Sequence, residues 1–442
     1  MPVLSDAERD RLAADTVDLC ARLIRFDTSN YGGGRSNGER DAAEWVAERL
    51  TDAGLAPTVL ESAPGRANTV VRIPGADPAA PALLVHGHLD VVPAEAADWS
   101  FDPFAGEVRD GAVWGRGALD MKDMDAMMLA FARHLAHTGT TPPRDLVLAF
   151  VADEEDTGDY GAGFLVDKHP QLFEGVTAAI SESGGHLVRL PGGGRLYPIA
   201  AAERGSAWLT VTARGTAGHG SRRAPDNALV KLAAAIGRIA AHEWPIRVIP
   251  TVQALLDGLS AHLGRPLDPA DLSPLGDAAQ LVSGTLADTL NPTMLSAGYK
   301  HNVIPSEATA ALDGRILPGT EEEFFATLDA LLGPDFTRTG DFSAPVSADH
   351  RSADFAAMAA ALRAHDPDAL VLPYCMTGGT DAKAFARIGI PGYGFVPGQT
   401  PADFDAWQYV HGVDEHVPVA SLAFGASVLT CYLLSDPRAH AA

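Results

Sequence analysis

Apolar residues run unbroken through some windows of this chain and alternate with polar ones in others. ALLVHGH (82–88), DLVLAFVADEE (145–155) and TAAISES (177–183) are nearly continuous apolar runs that end in titratable residues. That style marks strands covered on both faces. TVLES and NTVVRIP precede them as further strands. Elsewhere the spacing is helical. Leu12, Val17, Leu19, Leu23 and Ile24 form a stripe within 5–26, DAAEWVAERLTDAGL (41–55) closes on Gly54, and DMDAMMLAFARHLAHTG (123–139) closes on Gly139. YGGGRSNGE (31–39) reads as a flexible loop. Helices alternating with buried strands predict an α/β sheet.

The style changes near Gly205. SAWLTVTARG (206–215), TMLSAGYKHNVIP and EATAALDGRILPG alternate as half-exposed strands do, with the helix NALVKLAAAIGRIAAHE and a long mixed stretch between them. An antiparallel sheet with helices on one face is expected over 206–342. From about 350 a helix, IPGYGFVPG and a C-terminal helix restore the buried style. One domain (1–205 and 343–442) is thus expected to be interrupted by another (206–342), and 442 residues suit two or three domains of about 100–200 residues.

Composition narrows the functional classes. A net charge of −24 argues against nucleic acid and anionic membrane as partners. The cysteines, Cys20, Cys375 and Cys431, lie far apart with no C-x-x-C pair, which disfavours a disulfide framework or a thiolate zinc site and suits a reducing compartment. The N-terminal residues show no basic-then-apolar secretory pattern, and no window approaches the ~20 apolar residues of a membrane span. A cytoplasmic protein is expected.

The chemistry gathers at strand ends. His88 and Asp90 close one buried run, Glu154 and Glu155 the next, Glu182 the third, and Asp120 follows the Gly-rich GRGALDMKD. In a parallel sheet such ends meet at one edge. So many acids would repel one another, and metal cations are the simplest remedy. Carboxylate and imidazole without thiolate suits two ions bridged by one Asp, able to activate water and polarise a carbonyl. Bland readings compete at several points. His86 shares a strand face with His88, and periodicity alone does not separate the two. An isolated DEED is more often a solvated turn, and His411 alone would be an ordinary loop histidine. The triple-glycine runs lack a phosphate-loop context, and no G-x-S-x-G elbow is present.

Taken in order, H-x-D-V-V-P (88–93), G-R-G-x-x-D-M-K (115–122), D-E-E (153–155), G-H-G-S (218–221), N-V-I-P (302–305), T-G-G-T-D-A (377–382) and Y-V-H-G-V-D-E (409–415) resemble the co-catalytic zinc metallopeptidases and amidohydrolases. That family includes acetylornithine deacetylase, succinyl-diaminopimelate desuccinylase, aminoacylase, carnosinase-like dipeptidases and glutamate carboxypeptidase. The resemblance implies a three-layer α/β catalytic domain of the zinc-exopeptidase kind with a mixed sheet, and an inserted α+β lid that also forms a homodimer interface. It implies two divalent ions, zinc foremost, with cobalt or manganese possible. His88, Asp120 and Glu182 would hold one, and Asp120, Glu155 and His411 the other. Glu154 would be the general base, taking a proton from metal-bound water. Asp90 would orient the His88 ring through its second nitrogen, with His86 and Glu415 in support and His416 a decoy. A cis peptide is implied between Asp120 and Met121. His219 would stabilise the oxyanion, across the dimer in many relatives. Asn302, Arg315 and the backbone at Gly378 and Gly379 would grip the substrate.

Two departures stand out. Ser181-Glu182-Ser183-Gly184 replaces the family's usual acidic pattern, and Asp123 and Asp125 follow Lys122 where glycines are common. The implied activity is hydrolysis of an amide or peptide bond beside a free carboxylate, in a small peptide or an N-acyl amino acid. A biosynthetic deacylase is the runner-up, and a non-catalytic binding member the alternative from another class.

Overall fold

In a computed structural model describing residues 2–440, the chain divides into two compact units. The first comprises the chain up to Ala201, Ala348–Pro373 and the chain from Thr380 on. The second comprises Ala202–Ser347 with Tyr374–Gly379. The second unit is thus slightly wider on both sides than the change in patterning, and it takes in a short piece of the C-terminal third.

The first unit is built on a mixed sheet. Gly392–Gly394, Val176–Ser181, Ala82–His88 and Leu146–Val151 lie side by side and parallel. Arg66–Ile73 and Thr58–Ala63 continue the sheet antiparallel beyond Leu146–Val151. The apolar runs are continuous because both faces are covered. Leu83 and Val85 join the core with Leu19, Leu23, Met128, Phe131 and Leu429, from the helices Asp6–Ile24, Lys122–Thr138 and Val419–Leu433. Leu84, Val147, Ala149 and Val151 point the other way and pack with Leu165, Phe173 and Phe385. Two cores with a sheet between them make the three layers.

Caps end the helices where the glycines stand. Gly139 closes Lys122–Thr138 in the left-handed region at φ 68°, and Gly54 takes φ 79° just past Arg40–Asp52. The Gly-rich stretch 31–39 is a correction: it carries a small hairpin, Asn30–Gly32 against Arg35–Ser36. Its local pairing needs no apolar pattern, so hydropathy does not reveal it. Arg195–Glu203 and Ala369–Met376 are strands that the patterning left unassigned.

In the second unit, Gly205–Arg214 pairs antiparallel with Glu307–Ile316 and with Phe336–Ser343, and Thr289–Ala297 adds an edge. Ala207, Leu209, Val211 and Ala213 face the helices Ala228–Ala240 and Glu321–Leu332, while Trp208, Thr210 and Arg214 face away. TMLSAGYKHNVIP is not one strand. It breaks after Ala297, and Val303–Ile304 pairs instead with Gly218–His219. The long mixed stretch holds a helix, Pro250–Leu263, with Pro250 in its first turn and left-handed Gly264 after it. No helix among the described residues is long and apolar enough to cross a membrane.

Candidate metal centre

The parallel strands bring their C-terminal ends to one edge, in register. His88 lies opposite Val151, Val85 opposite Ile180, and Gly394 opposite Ser181. His88 is the last residue of its strand. The acids of DLVLAFVADEE are not in the strand, which stops at Val151, but in the turn beyond it. Polar side chains at the rim favour a turn over further pairing. Asp153 opens that turn with φ 73°, a left-handed conformation that Asp tolerates better than most residues. Glu182 follows Ser181 directly, and its loop packs hard on the neighbouring strand. A Cβ at Gly394 would come 2.5 Å from the Glu182 carbonyl oxygen and 2.2 Å from that of Ser183.

Asp120 arrives by another route. The buried Glu415 carboxylate accepts from Arg116 Nη1 (2.6 Å) and from the backbone N–H groups of Gly117 (3.0 Å) and Leu119 (2.7 Å). Glu415 thereby ties the loop that delivers Asp120 to the segment that delivers His411. Gly117 is required there: at φ 83°, a Cβ would lie 2.6 Å from Val91 Cγ1. The Asp120–Met121 peptide bond is cis, as the resemblance implied.

The side chains converge. His88 Nε2 lies 3.0 Å from Asp120 Oδ1 and 4.0 Å from both Glu154 Oε2 and Glu182 Oε2. His411 Nε2 lies 3.1 Å from Asp120 Oδ2 and 3.3 Å from Glu155 Oε2. The two oxygens of Asp120 therefore face two different histidines, the arrangement a bridging carboxylate needs. Donor atoms of His88, Asp120 and Glu155 lie within 4.8 Å of one another, as do those of His88, Glu154 and Glu182.

The electrostatics show what the site attracts. Burial, and then the charge of Glu182, pushes the Glu154 carboxyl well above the carboxylate range; burial and Asp120 do the same to Glu182. Burial alone would lower the His88 imidazole, but the Asp120 hydrogen bond and the charges of Glu182 and Glu154 raise it well above its ordinary value. Hydrogen bonds to Asp120 and Glu155 push His411 up to about 10. Too little positive charge faces too many acids. Glu155 Oε1 is buried with no hydrogen-bond partner in the protein. Imidazole and carboxylate donors without thiol, a carboxylate facing two ways and an orphaned buried oxygen together fit two divalent ions.

Asp90 requires a correction. The second nitrogen of His88 is held by the carbonyl oxygen of Asp90, 2.9 Å from Nδ1, while the nearer carboxylate oxygen lies at 3.7 Å. The Asp90 carboxylate instead accepts the backbone N–H groups of Glu154 and Glu155, each at 3.1 Å, and Asn30 Nδ2 at 2.9 Å. Two N–H donors at a tight turn are a stronger claim on the carboxylate than a ring nitrogen the carbonyl already satisfies.

The two histidines of the first motif separate here. His86 is buried with its ring 4.7 Å from that of Phe385, and burial lowers it to about 3, so it is neutral and apolar in its surroundings. Its Nε2 has no partner. His86→Leu should therefore leave metal content unchanged and stability nearly so, since loss of an unsatisfied buried polar atom offsets imperfect packing. His88→Leu should weaken metal binding by at least about 100-fold, beyond the 10–100-fold typical of residues that only support a ligand. Metal analysis after gel filtration checks both. His416 stacks on Trp114 at 3.8 Å and takes no part in the cluster.

The other expected residues lie in the second unit. His219 and Asn302 are exposed. His219 Nδ1 accepts from the Ser221 N–H (3.2 Å) and lies 2.8 Å from Ser221 Oγ, which places the ring proton on Nε2. Arg315 forks onto Asp313 through Nε (2.7 Å) and Nη2 (3.1 Å). Gly378 and Gly379 belong to the piece Tyr374–Gly379. Sequence reasoning missed Asn30, Glu39 and Arg66, all buried and hydrogen-bonded around the site's loops, and assigned no role to Arg116 although it stands in the G-R-G motif. No local signal singles out Asn30, Glu39 or Arg66.

The model of Peptidase family M20/M25/M40 matches residues 84–435. Aminoacylase-1 of Sus scrofa is 30% identical over 399 residues, covering 88% of this chain and 88% of that protein. Among solved structures, the M20 family metallo-carboxypeptidase Sso-CP2 of Sulfolobus solfataricus superposes with a TM-score of 0.70 at 17% identity, over 96% of this chain and 99% of that one. The YXEP protein of Bacillus subtilis, described as a dinuclear metal binding peptidase of the M20 family, gives 0.58 at 14% identity over 97% and 98%. At these identities the structures speak for the fold.

Proposed function

The chain belongs to peptidase family M20/M25/M40, and from that premise we propose that it hydrolyses N-acyl amino acids, with dipeptides as the related substrate class. It is a metal-dependent hydrolase of amide bonds. The observation that carries the assignment is Asp120, whose two carboxylate oxygens face His88 and His411 within one cluster of acids.

His88, Asp120 and Glu182 would hold one ion, and Asp120, Glu155 and His411 the other; zinc suits this mixed nitrogen and oxygen set. When bound, the pair supplies Lewis acidity that polarises the scissile carbonyl and acidifies water. Glu154 is not needed as a ligand in this scheme. Its carboxylate takes a proton from the attacking water and hands it to the nitrogen of the leaving amine. His219, with its proton on Nε2, would donate to the carbonyl oxygen as negative charge develops there. Arg315, whose Nη1 is outside the Asp313 fork, and Asn302 would bind the substrate carboxylate, with the backbone of Gly378 and Gly379 as further donors.

We place the protein in the cytoplasm as a homodimer. Its cysteines are buried, and none is in a disulfide among the described residues. The edge strand Thr289–Ala297 exposes Met294 (70%) and Leu295 (65%), and Tyr299 beyond it is 83% exposed. An open apolar edge of this kind pairs readily with a second copy.

The test is a panel of N-acyl amino acids and dipeptides, assayed after chelation and reconstitution with zinc, cobalt or manganese. Acyl amino acids should be turned over, and their C-terminally amidated analogues should be poorer by at least about 100-fold, because an amide cannot take the charge-assisted contact that Arg315 offers a carboxylate. Equal rates on the amidated series would remove the carboxylate requirement. No hydrolysis with any metal would refute the proposed substrate class.

A further inference from the structure

We propose that Arg66 is a positioning residue that holds the Asp153–Asp156 turn, and with it Glu154 and Glu155, in catalytic geometry; the proposal rests on reading Glu154 as the base. Antiparallel pairing sets Thr69 opposite Phe150, and the same register carried three residues on sets Arg66 opposite Asp153, just past the end of the partner strand. The guanidinium bridges where the ladder stops. Nη2 reaches Asp153 Oδ1 at 2.7 Å, while Nε and Nη2 fork onto Glu39 at 2.9 and 3.0 Å. Glu39 and Asp153 are fully buried and Arg66 nearly so.

Asp153 distributes the constraint. Its second oxygen accepts the Tyr160 N–H (3.1 Å) and the Thr157 hydroxyl (3.2 Å), closing the turn from its far side. Asn30 Nδ2 donates both to Asp153 Oδ1 (3.2 Å) and to Asp90 Oδ2 (2.9 Å). Asp90 in turn holds the N–H groups of Glu154 and Glu155. A continuous buried relay therefore runs Glu39–Arg66–Asp153–Asn30–Asp90 and ends on the backbone of the proposed base and of a proposed ligand. The Gly-rich hairpin belongs to the same device: Gly34 N–H donates to Asp156 Oδ2 at 3.3 Å and Gly32 N–H to Asn30 Oδ1 at 3.1 Å. Asp153 needs this holding, because its left-handed φ of 73° is not one the chain favours.

Removing Arg66 outright would strand two buried acids and could unfold the protein, so conservative variants carry the test. Arg66→Lys keeps the charge, but one ammonium cannot fork onto Glu39 and also reach Asp153. Asp153→Asn tolerates the left-handed φ yet turns an amide NH2 toward the donors of Tyr160 and Thr157. Arg72→Lys is the control: Arg72 pairs with Asp145 at the other end of the same two strands, 3.0 Å away. Two readouts are needed. Hydrogen exchange in the metal-free protein should speed up in residues 152–158 for both variants and not for the control. At saturating metal, kcat should fall about 10–100-fold with KM and thermal midpoint little changed, as expected for a reacting group displaced by about 1 Å.

Unchanged exchange in both variants overturns the proposal. So does faster exchange with kcat kept, or a fall in thermal midpoint with kcat kept. Glu154→Gln is measured alongside. If it keeps its activity, the base assignment fails on its own account, and exchange alone decides whether Arg66 holds the turn.

Discussion

Glu154→Gln is expected to reduce kcat by at least about 100-fold while leaving both metal ions in place, since general-base catalysis contributes about 10²–10⁴. The geometry separates Glu154 from its neighbour. Glu155 has one oxygen 3.3 Å from His411 and another buried without a partner, both explained if it is a ligand. The nearest imidazole to Glu154 is His88, at 4.0 Å from Oε2, and its carboxyl is pushed toward the protonated form by burial and by Glu182. Gln keeps the shape and loses the proton traffic, so metal analysis should find two ions per chain and kinetics should find a lost kcat with KM nearly kept. A variant that loses an ion with its activity would make Glu154 a ligand.

The second large effect belongs to Asp120. Asp120→Asn should weaken both ions together, each by at least about 100-fold, more than the 10–100-fold seen on losing a supporting residue. Glu182→Gln and His411→Asn should each weaken one ion and spare the other. The asymmetry follows from the two oxygens of Asp120, which lie 3.0 Å and 3.1 Å from different histidines. Thermal unfolding gives an independent view. Ligand at 100 times its Kd stabilises a protein by about 2.7 kcal/mol. Adding zinc should therefore raise the midpoint of the metal-free wild type, raise it less in the single-site variants, and leave Asp120→Asn nearly unmoved. A midpoint that rises equally in Asp120→Asn would disprove the bridge.

Much of this centre is legible in the sequence because its logic is that of strand ends. A strand buried on both faces can hold a neutral ring such as His86 inside but leaves charged groups such as Glu182 to its rim or just beyond, so apolar runs that stop on acids announce an edge. The ranking of His88 over His86 came from motif order, and the structure supplies the physical reason: one ring meets Asp120, the other Phe385. What escaped detection has different causes. The expected carboxylate of Asp90 is not what meets His88: its backbone carbonyl does, and a letter code does not distinguish the two. Arg66 and Asp153 are 87 residues apart and meet only once two strands have paired. The helix Pro250–Leu263 is readable in the sequence: Val252, Leu255, Leu256 and Leu259 recur at helical spacing between Pro250 and Gly264, with Gln253 and Asp257 on the exposed face.

The insertion of one unit within the other has a consequence for how the chain is made. Residues 88, 120, 154, 155 and 182 leave the ribosome before the second unit is synthesised, whereas His411 follows it. The centre cannot be completed locally; its last contact closes a loop of nearly three hundred residues, and contacts that distant in sequence form slowly. Until then four acidic side chains and His88 stand together without their final partner. On the proposed ligand set, the ion held by Asp120, Glu155 and His411 can be captured only after both units exist, whereas the residues proposed for the other ion emerge before the second unit is made.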